Sequence, residues 1–347
     1  MKSYSVFLIT MAVLSPVFSY FVTFGNIRWS LFLGIVDVPN QRSSHTEPTP
    51  RGGGMAIVFT FVLFTFIVRR DLGISSGQFW GLIVNSVLIA GLGFLDDLYT
   101  LRHLPRIIGW VVITLNFLAY GIEINSITIP LVGLINFGLF SPLVTFIWLI
   151  GVTNFFNFMD GIDGLASSEA LSVSGFLAAI ALLSGNMFVF TASILIFGAV
   201  LGFLPHNFPR AKLFMGDGGS NFLGFVFAAL AVIGNQSEAG HIPFIIPVIL
   251  LNMFLLDAGI TLIKRIPKGK DWLKPHREHV YQRLVKLDYS HVQVTILYSI
   301  LNIILGVLAY LVYRSNELIA LVITVGSFIP YFLLALITKR IEQKRLV

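Results

Sequence analysis

The chain contains no cysteine, which excludes disulfides, thiolate metal sites and cysteine nucleophiles together. Charge is scarce as well. Asp, Glu, Lys and Arg make up 12% of the 347 residues, against roughly 25% in soluble domains. No soluble domain, internal repeat or low-complexity tail is legible. What fills the chain is apolar: 56% of it is hydrophobic, with 32 phenylalanines. A surface so poor in charge cannot face water, so lipid is the solvent for most of it. The first apolar run, about Tyr4 to Phe24, has no small-residue cleavage site after it and is followed by many similar runs. It reads as a spanning helix and not as a signal peptide.

Apolar runs long enough to cross roughly 30 Å of hydrocarbon fall at about 4–24, 53–68, 79–95, 107–121, 141–156, 169–184, 187–204, 220–234, 243–263, 292–313 and 317–337. The fold expected is therefore all-α, a polytopic integral membrane protein of about eleven transmembrane helices forming one domain over 1–347. Eleven spans put the termini on opposite faces. The face shared with the C-terminus holds 19 of the 23 Lys and Arg residues, the other only Lys2, Arg69, Arg70 and Arg314. By the positive-inside rule the rich face is cytoplasmic and the N-terminus lies outside. Thirteen of 17 carboxylates and six of seven histidines sort to that same face. The rule does not govern acids, so either longer loops or a site at that face must account for them.

Four junctions on this face place acids or amides beside glycine. In "GFLDDLYTLRHLPR", Asp96 and Asp97 close the third span. A like-charged pair at a helix end is either a solvated cap or, if desolvated, a base with a raised pKa or a shared cation site. In "TNFFNFMDGIDGLA", Asn154, Asn157 and Asp160 recur at i, i+3 and i+6, near one stripe of an ending helix. Asp163 follows, and glycines permit a sharp turn. Carboxylate and amide oxygens suit a hard cation such as Mg²⁺. "FMGDGGSNFLG" reads as a phosphate cradle, with free amides at Gly218 and Gly219 and Ser220 capping the next helix. Asp217 beside phosphate makes sense when a cation lies between them, and Phe214 reads either as a ring that stacks on a base or as one more lipid- or core-facing phenylalanine. The basic loop has eight Lys and Arg between Lys264 and Lys286. Anionic lipid explains part of it, but not His276 and His279 interleaved with Arg277 and followed by Arg283, since arginine grips pyrophosphate bidentately. Asp257 stands apart, seven residues before Lys264 inside an apolar run, about 10 Å deep if helical.

"NFFNFMDGIDGLA", "FMGDGGSNFLG", "LGFLDDL" and "HTEPTPRGGG" together resemble the polyprenyl-phosphate N-acetylhexosamine-1-phosphate transferases of glycosyltransferase family 4, membrane relatives of the translocase that makes lipid I. The matching motifs run from about His45 to Arg283. The resemblance implies Mg²⁺-dependent transfer of a sugar 1-phosphate from a UDP-N-acetyl sugar to undecaprenyl phosphate, releasing UMP, at an active site on the cytoplasmic face. Mn²⁺ is a conceivable substitute. It implies Asp217 and Asn157 as metal ligands, Asp96, Asp97, Asp160 and Asp163 as catalytic acids, and Phe214 as a substrate contact; Asn154, Arg51, His276, Arg277, His279 and Arg283 are read from their own chemistry as further substrate contacts. Within these, Asp96 and Asp97 correspond to the pair acting on the lipid phosphate, and Asp160 and Asp163 to acids of the nucleotide site. The expected setting is the bacterial inner membrane, with the N-terminus periplasmic, no nucleic-acid partner, and an assembly compatible with a homodimer.

Two departures narrow the resemblance. The last loop reads "PHREHVYQRL" in place of the histidine triplet of the lipid I branch, closer to the subgroup that starts O-antigen or other surface polysaccharides. The lysine that branch places before its Thr-Pro is absent near Thr49, with Arg51 as its replacement. The rival reading is an ion-coupled transporter of a charged metabolite. Transporters keep ionisable residues near the midplane on repeat-related broken helices, whereas only Asp257 here is read as inside a span.

Overall fold

In lipid every backbone N–H and C=O must be satisfied within the segment, and the chain meets that demand almost wholly with helices. The computed structural model describes residues 2–39, 47–69, 75–238, 240–265 and 277–345. Its helices in order are α1 (Lys2–Phe32), α2 (Gly54–Val68), α3 (Ser76–Tyr99), α4 (His103–Leu118), α5 (Ser141–Phe158), α6 (Leu165–Ser184), α7 (Met187–Asn207), α8 (Gly216–Gln236), α9 (Ile245–Leu250), α10 (Asn252–Arg265), α11 (Val280–Lys286), α12 (His291–Arg314), α13 (Glu317–Gly326) and α14 (Ile329–Arg345). Among the described residues, eight helical segments are long and apolar enough to cross a membrane, with α13 and α14 counted as one, and α2 and α4 are shorter apolar helices. The α9–α10 pair occupies the remaining run of the eleven. The protein is thus an all-α, multi-pass membrane protein.

Helix boundaries follow local chemistry. Ser75, Asn186, Ser290 and Asn316 each accept a backbone N–H three residues on, capping α3, α7, α12 and α13. The last apolar run is interrupted after Gly326, where Pro330 lacks an N–H to continue the ladder. The run at 243–263 divides at Leu251, and Asn252 spans the core to donate to the Ser327 carbonyl, 3.1 Å, beside that other interruption.

α8 is the central post. Nearly every residue from Gly216 to Gly234 is buried, as befits a helix apolar on all sides, and it packs against α2, α3 and α5. Two close approaches set its position. A Cβ on Gly219 would lie 2.5 Å from the Gly54 Cα of α2, and one on Gly93 of α3 would overlap the Asp217 backbone.

Two small antiparallel ribbons depart from an all-helical expectation. β1 (Val36–Asp37) pairs with β2 (Thr49–Pro50), and β3 (Ser126–Ile129) pairs with β4 (Gly133–Asn136). The first matters for the site, because β2 delivers Arg51 to the start of α2. The second is turned by Leu131 and Gly133, both at positive φ.

Candidate active site

The acids at one end of the bundle are ordered by α8. Asp97, buried at the end of α3, accepts the Asp217 N–H on Oδ1 at 3.0 Å and the Gly218 N–H on Oδ2 at 3.2 Å. It thereby caps the N-terminus of α8, where a negative charge meets free amides and a favourable dipole. This corrects the cradle expected from "MGDGGS". α8 begins at Gly216, four residues earlier than Ser220, and Ser220 Oγ bonds within the helix to the Gly216 carbonyl. The Gly218 amide is taken by Asp97, and Gly219 serves the contact with α2.

Asp217 consequently projects from the first turn of α8. Asn157, on the last turn of α5, donates its Nδ2 to Asp217 Oδ1 at 2.8 Å and to Ser220 Oγ at 2.9 Å. Asn154 lies one turn back, its Nδ2 on the Ile150 carbonyl. Asp160 follows just after the helix. Its carboxyl is pushed up to about 7 by burial, then by Asp217 and Asp97, with Arg51 opposing. Arg51 stands as counter-ion, its Nε 3.8 Å from Asp97 and 3.9 Å from Asp37. Burial works against its charge, but Asp97, Asp217, Asp37 and Asp160 outweigh that and raise its pKa. The half-buried Phe214 lies in the loop just before α8, its N–H donating to the Pro50 carbonyl and its carbonyl accepting the Gly53 N–H.

Other expected residues are engaged elsewhere. Asp96 accepts the Leu101 N–H and the Arg106 guanidinium, both at 2.7 Å. Asp163 ties its loop down: Oδ2 accepts the Ala211 N–H at 3.2 Å, Oδ1 is 3.4 Å from His291 Nδ1, and its carbonyl accepts Thr295 Oγ1. Arg283 was expected on pyrophosphate, yet Nε and Nη2 form a bidentate pair with Glu342 of α14. A guanidinium fork already matched to a carboxylate has little left to offer a phosphate. Arg277 presents its carbonyl to Lys286. His45 and His276 lie outside the described residues.

Beside Asp217 opens a cavity of about 630 Å³. Its polar end is lined by Asn154, Asn157, Asp217, His279, Gln282 and Arg106, and its wall by Trp110, Ile147, Phe155 and Leu262. His103 and Arg106 were not singled out from the sequence. The signal was available: His103, Arg106 and Trp110 recur at i, i+3 and i+7, and all three line this cavity from the start of α4. Among the described residues no three acidic or histidine side chains converge as a metal cage. Mg²⁺ seldom uses one, taking one or two carboxylates, waters and substrate phosphates, and Asp217 with Asn157 fits that smaller requirement. Asn157 presents its Nδ2 to Asp217, so the amide would have to turn to offer a cation its oxygen.

The architecture is that of a multi-pass membrane protein whose buried acids gather at one end of the bundle, next to a cavity with one polar end and an apolar wall. Residues 79–235 match the profile of glycosyl transferase family 4. The chain is 28% identical over 346 residues to a probable undecaprenyl-phosphate N-acetylglucosaminyl 1-phosphate transferase of Bacillus subtilis, covering 99% of this chain and 93% of that one. It is 30% identical over 294 residues to a phospho-N-acetylmuramoyl-pentapeptide-transferase of Halalkalibacterium halodurans, covering 80% and 86%. Against a decaprenyl-phosphate N-acetylglucosaminephosphotransferase of Mycobacterium tuberculosis the identity is 29% over 324 residues, covering 85% and 79%. The chain belongs to the polyprenyl-phosphate hexosamine-1-phosphate transferase family, glycosyl transferase family 4.

Proposed function

We propose that this protein transfers N-acetylhexosamine 1-phosphate from a UDP-sugar to undecaprenyl phosphate. An oxygen of the lipid phosphate attacks the β-phosphorus of the donor, the bond from that phosphorus to the bridging oxygen breaks, and UMP leaves with that oxygen and its electron pair. The observation that carries the reading is the cavity, whose apolar wall suits a prenyl chain and whose polar end stops at Asp217 and Asn157. A lipid phosphate entering along the wall meets Arg106, and its reacting oxygen arrives beside the acid cluster.

The residues divide the work as follows. Asp217 and Asn157 would hold Mg²⁺, with Mn²⁺ as a substitute, and such an ion when bound supplies charge neutralisation to the diphosphate. Asp97 fixes the start of α8 and so aims Asp217, while Asp96 orients Arg106. Asp160, lying among Asp217, Asp97 and Arg51, is placed to exchange a proton. Phe214 and Asn154 flank the position for the nucleotide, Arg51 balances the acids, and His279 at the cavity's polar end faces the diphosphate or sugar.

The two GlcNAc-named relatives favour UDP-N-acetylglucosamine as donor. The product would begin a lipid-linked surface glycan, for which an O-antigen-like polymer is our reading from the "PHREHVYQRL" loop. We place the site on the cytoplasmic face of a bacterial inner membrane, N-terminus outside, from the Lys and Arg asymmetry. The transporter alternative finds no support in a family of transferases. The test is UMP release by purified protein from a panel of UDP-N-acetyl sugars with undecaprenyl phosphate. Wild type is expected to release UMP and Asp217→Ala none while remaining folded; full activity in that variant would remove Asp217 from the metal site.

A further inference from the structure

Asp257 lies within α10 and is fully buried. Every oxygen of its carboxylate is spent on another element. The Val280 N–H reaches Oδ1 at 2.9 Å and Oδ2 at 3.1 Å, the Tyr281 N–H reaches Oδ2 at 3.4 Å, and the Tyr298 hydroxyl of α12 donates to Oδ2 at 2.9 Å. Val280 and Tyr281 are the first residues of α11, a helix of seven residues that is too short to hold itself. His279 immediately precedes them. Its Nδ1 is 3.6 Å from Asp257 Oδ1, and it lines the cavity that Asp217 and Asn157 also line.

We propose that Asp257 is a positioning residue: from inside the bundle it anchors the start of α11 and so sets His279 at the polar end of the substrate cavity. The other bonds of α11 agree with a segment fixed from several sides. The Tyr281 hydroxyl donates to the Phe158 carbonyl at 3.0 Å, at the end of α5, and packs so closely on Gly161 that a Cβ there would overlap it. Arg283 is held by Glu342 of α14. α11 is therefore registered against the loop carrying Asp160 and against α14, while Asp257 fixes the end nearest the cavity. An apolar residue at 257 could fill the same space, but it could not accept these amides.

The inference rests on the transferase reading for its consequence in turnover, and a double-mutant cycle tests it. With UDP-N-acetylglucosamine and undecaprenyl phosphate, Asp257→Asn is expected to lower kcat/KM about tenfold to a hundredfold. The melting midpoint in detergent should stay close to wild type. In a His279→Ala background, the same change should add almost nothing, because its effect passes through His279. Losses that multiply, or a wild-type rate in Asp257→Asn, would overturn the proposal alone. A wild-type rate in His279→Ala would instead remove His279 from the proposed site, and the positioning role with it. Should Asp257→Asn unfold, Tyr298→Phe withdraws one donor from the same carboxylate and enters the same cycle, with the same non-additivity expected. Hydrogen exchange provides a readout without turnover: the Val280–Lys286 amides should exchange about tenfold faster in the variant, with α8 unchanged. Unaltered protection there would refute the anchoring itself, whichever sugar nucleotide the protein uses.

Discussion

Residue by residue, acids that look alike in the sequence are separated by what each one touches. Asp97 is consumed by two amides of α8, Asp96 by Arg106 and Leu101, and Asp163 by its loop and His291. Asp217 lines the cavity, and Asp160 lies among Asp217, Asp97 and Arg51. The pairing of Asn154 and Asn157 in the cavity lining is legible because a helix end brings i and i+3 to one face, whereas Asp160 lies beyond the end of α5. The capture of Asp97 is not legible, since it depends on α3 and α8 meeting across 120 residues. Asp160 gives a pH prediction. Its pKa is raised from the ordinary 3.8 to about 7, so the folded protein holds this proton more tightly than the unfolded chain. The stability this contributes is present at acid pH and lost as pH rises through about 7. Measured in EDTA, Asp160→Asn should therefore melt further above wild type at pH 8 than at pH 5. A difference that is constant with pH, or larger at pH 5, would contradict the shifted carboxyl.

At the scale of elements, the apolar runs located the helices closely, from Gly54–Val68 against 53–68 to His291–Arg314 against 292–313. Helix starts that are polar or glycine-rich carry no apolar signal and lie outside the runs. α8 opens at Gly216 because Asp97 supplies a cap from another helix, and α6 opens at Leu165, four residues before the apolar run 169–184. That run begins with Glu169, which is fully buried near the start of α6. The α9–α10 division and the β3–β4 ribbon were invisible because nothing in the local pattern demands them. Small residues at helix contacts were equally silent in the sequence, though they set the spacing. Gly202 of α7 lies against Pro16 and Ser19 of α1, so that a Cβ would overlap the Pro16 carbonyl. Gly202→Ala should force the two helices apart, at about 1–3 kcal/mol. The check is a lowered melting midpoint with the KM for UDP-sugar unchanged, since no site residue lies on α1 or at that level of α7. A midpoint equal to wild type would show that the contact is looser than described.

For the whole molecule, composition alone fixed the solvent, and charge scarcity made each buried acid conspicuous. Long apolar helices surround α8 and bring the ends of α3, α5 and α8 together with the segment leading into α2. Residues from His103 to Gln282 thereby meet around one cavity, with Arg51 paired to Asp97 behind Asp217. Arg283 shows the limit of that inference, because a basic loop advertises charge and not the partner each charge finds; here Glu342 claimed it. The central claim is that phosphorus, not merely sugar, crosses from nucleotide to lipid in this cavity. The direct measurement is to give purified protein undecaprenyl phosphate and UDP-N-acetylglucosamine labelled at the β-phosphorus. The account predicts label in the lipid fraction in step with UMP, and neither in Asp217→Ala. Label that stays in the water-soluble fraction, released as UDP, would contradict it.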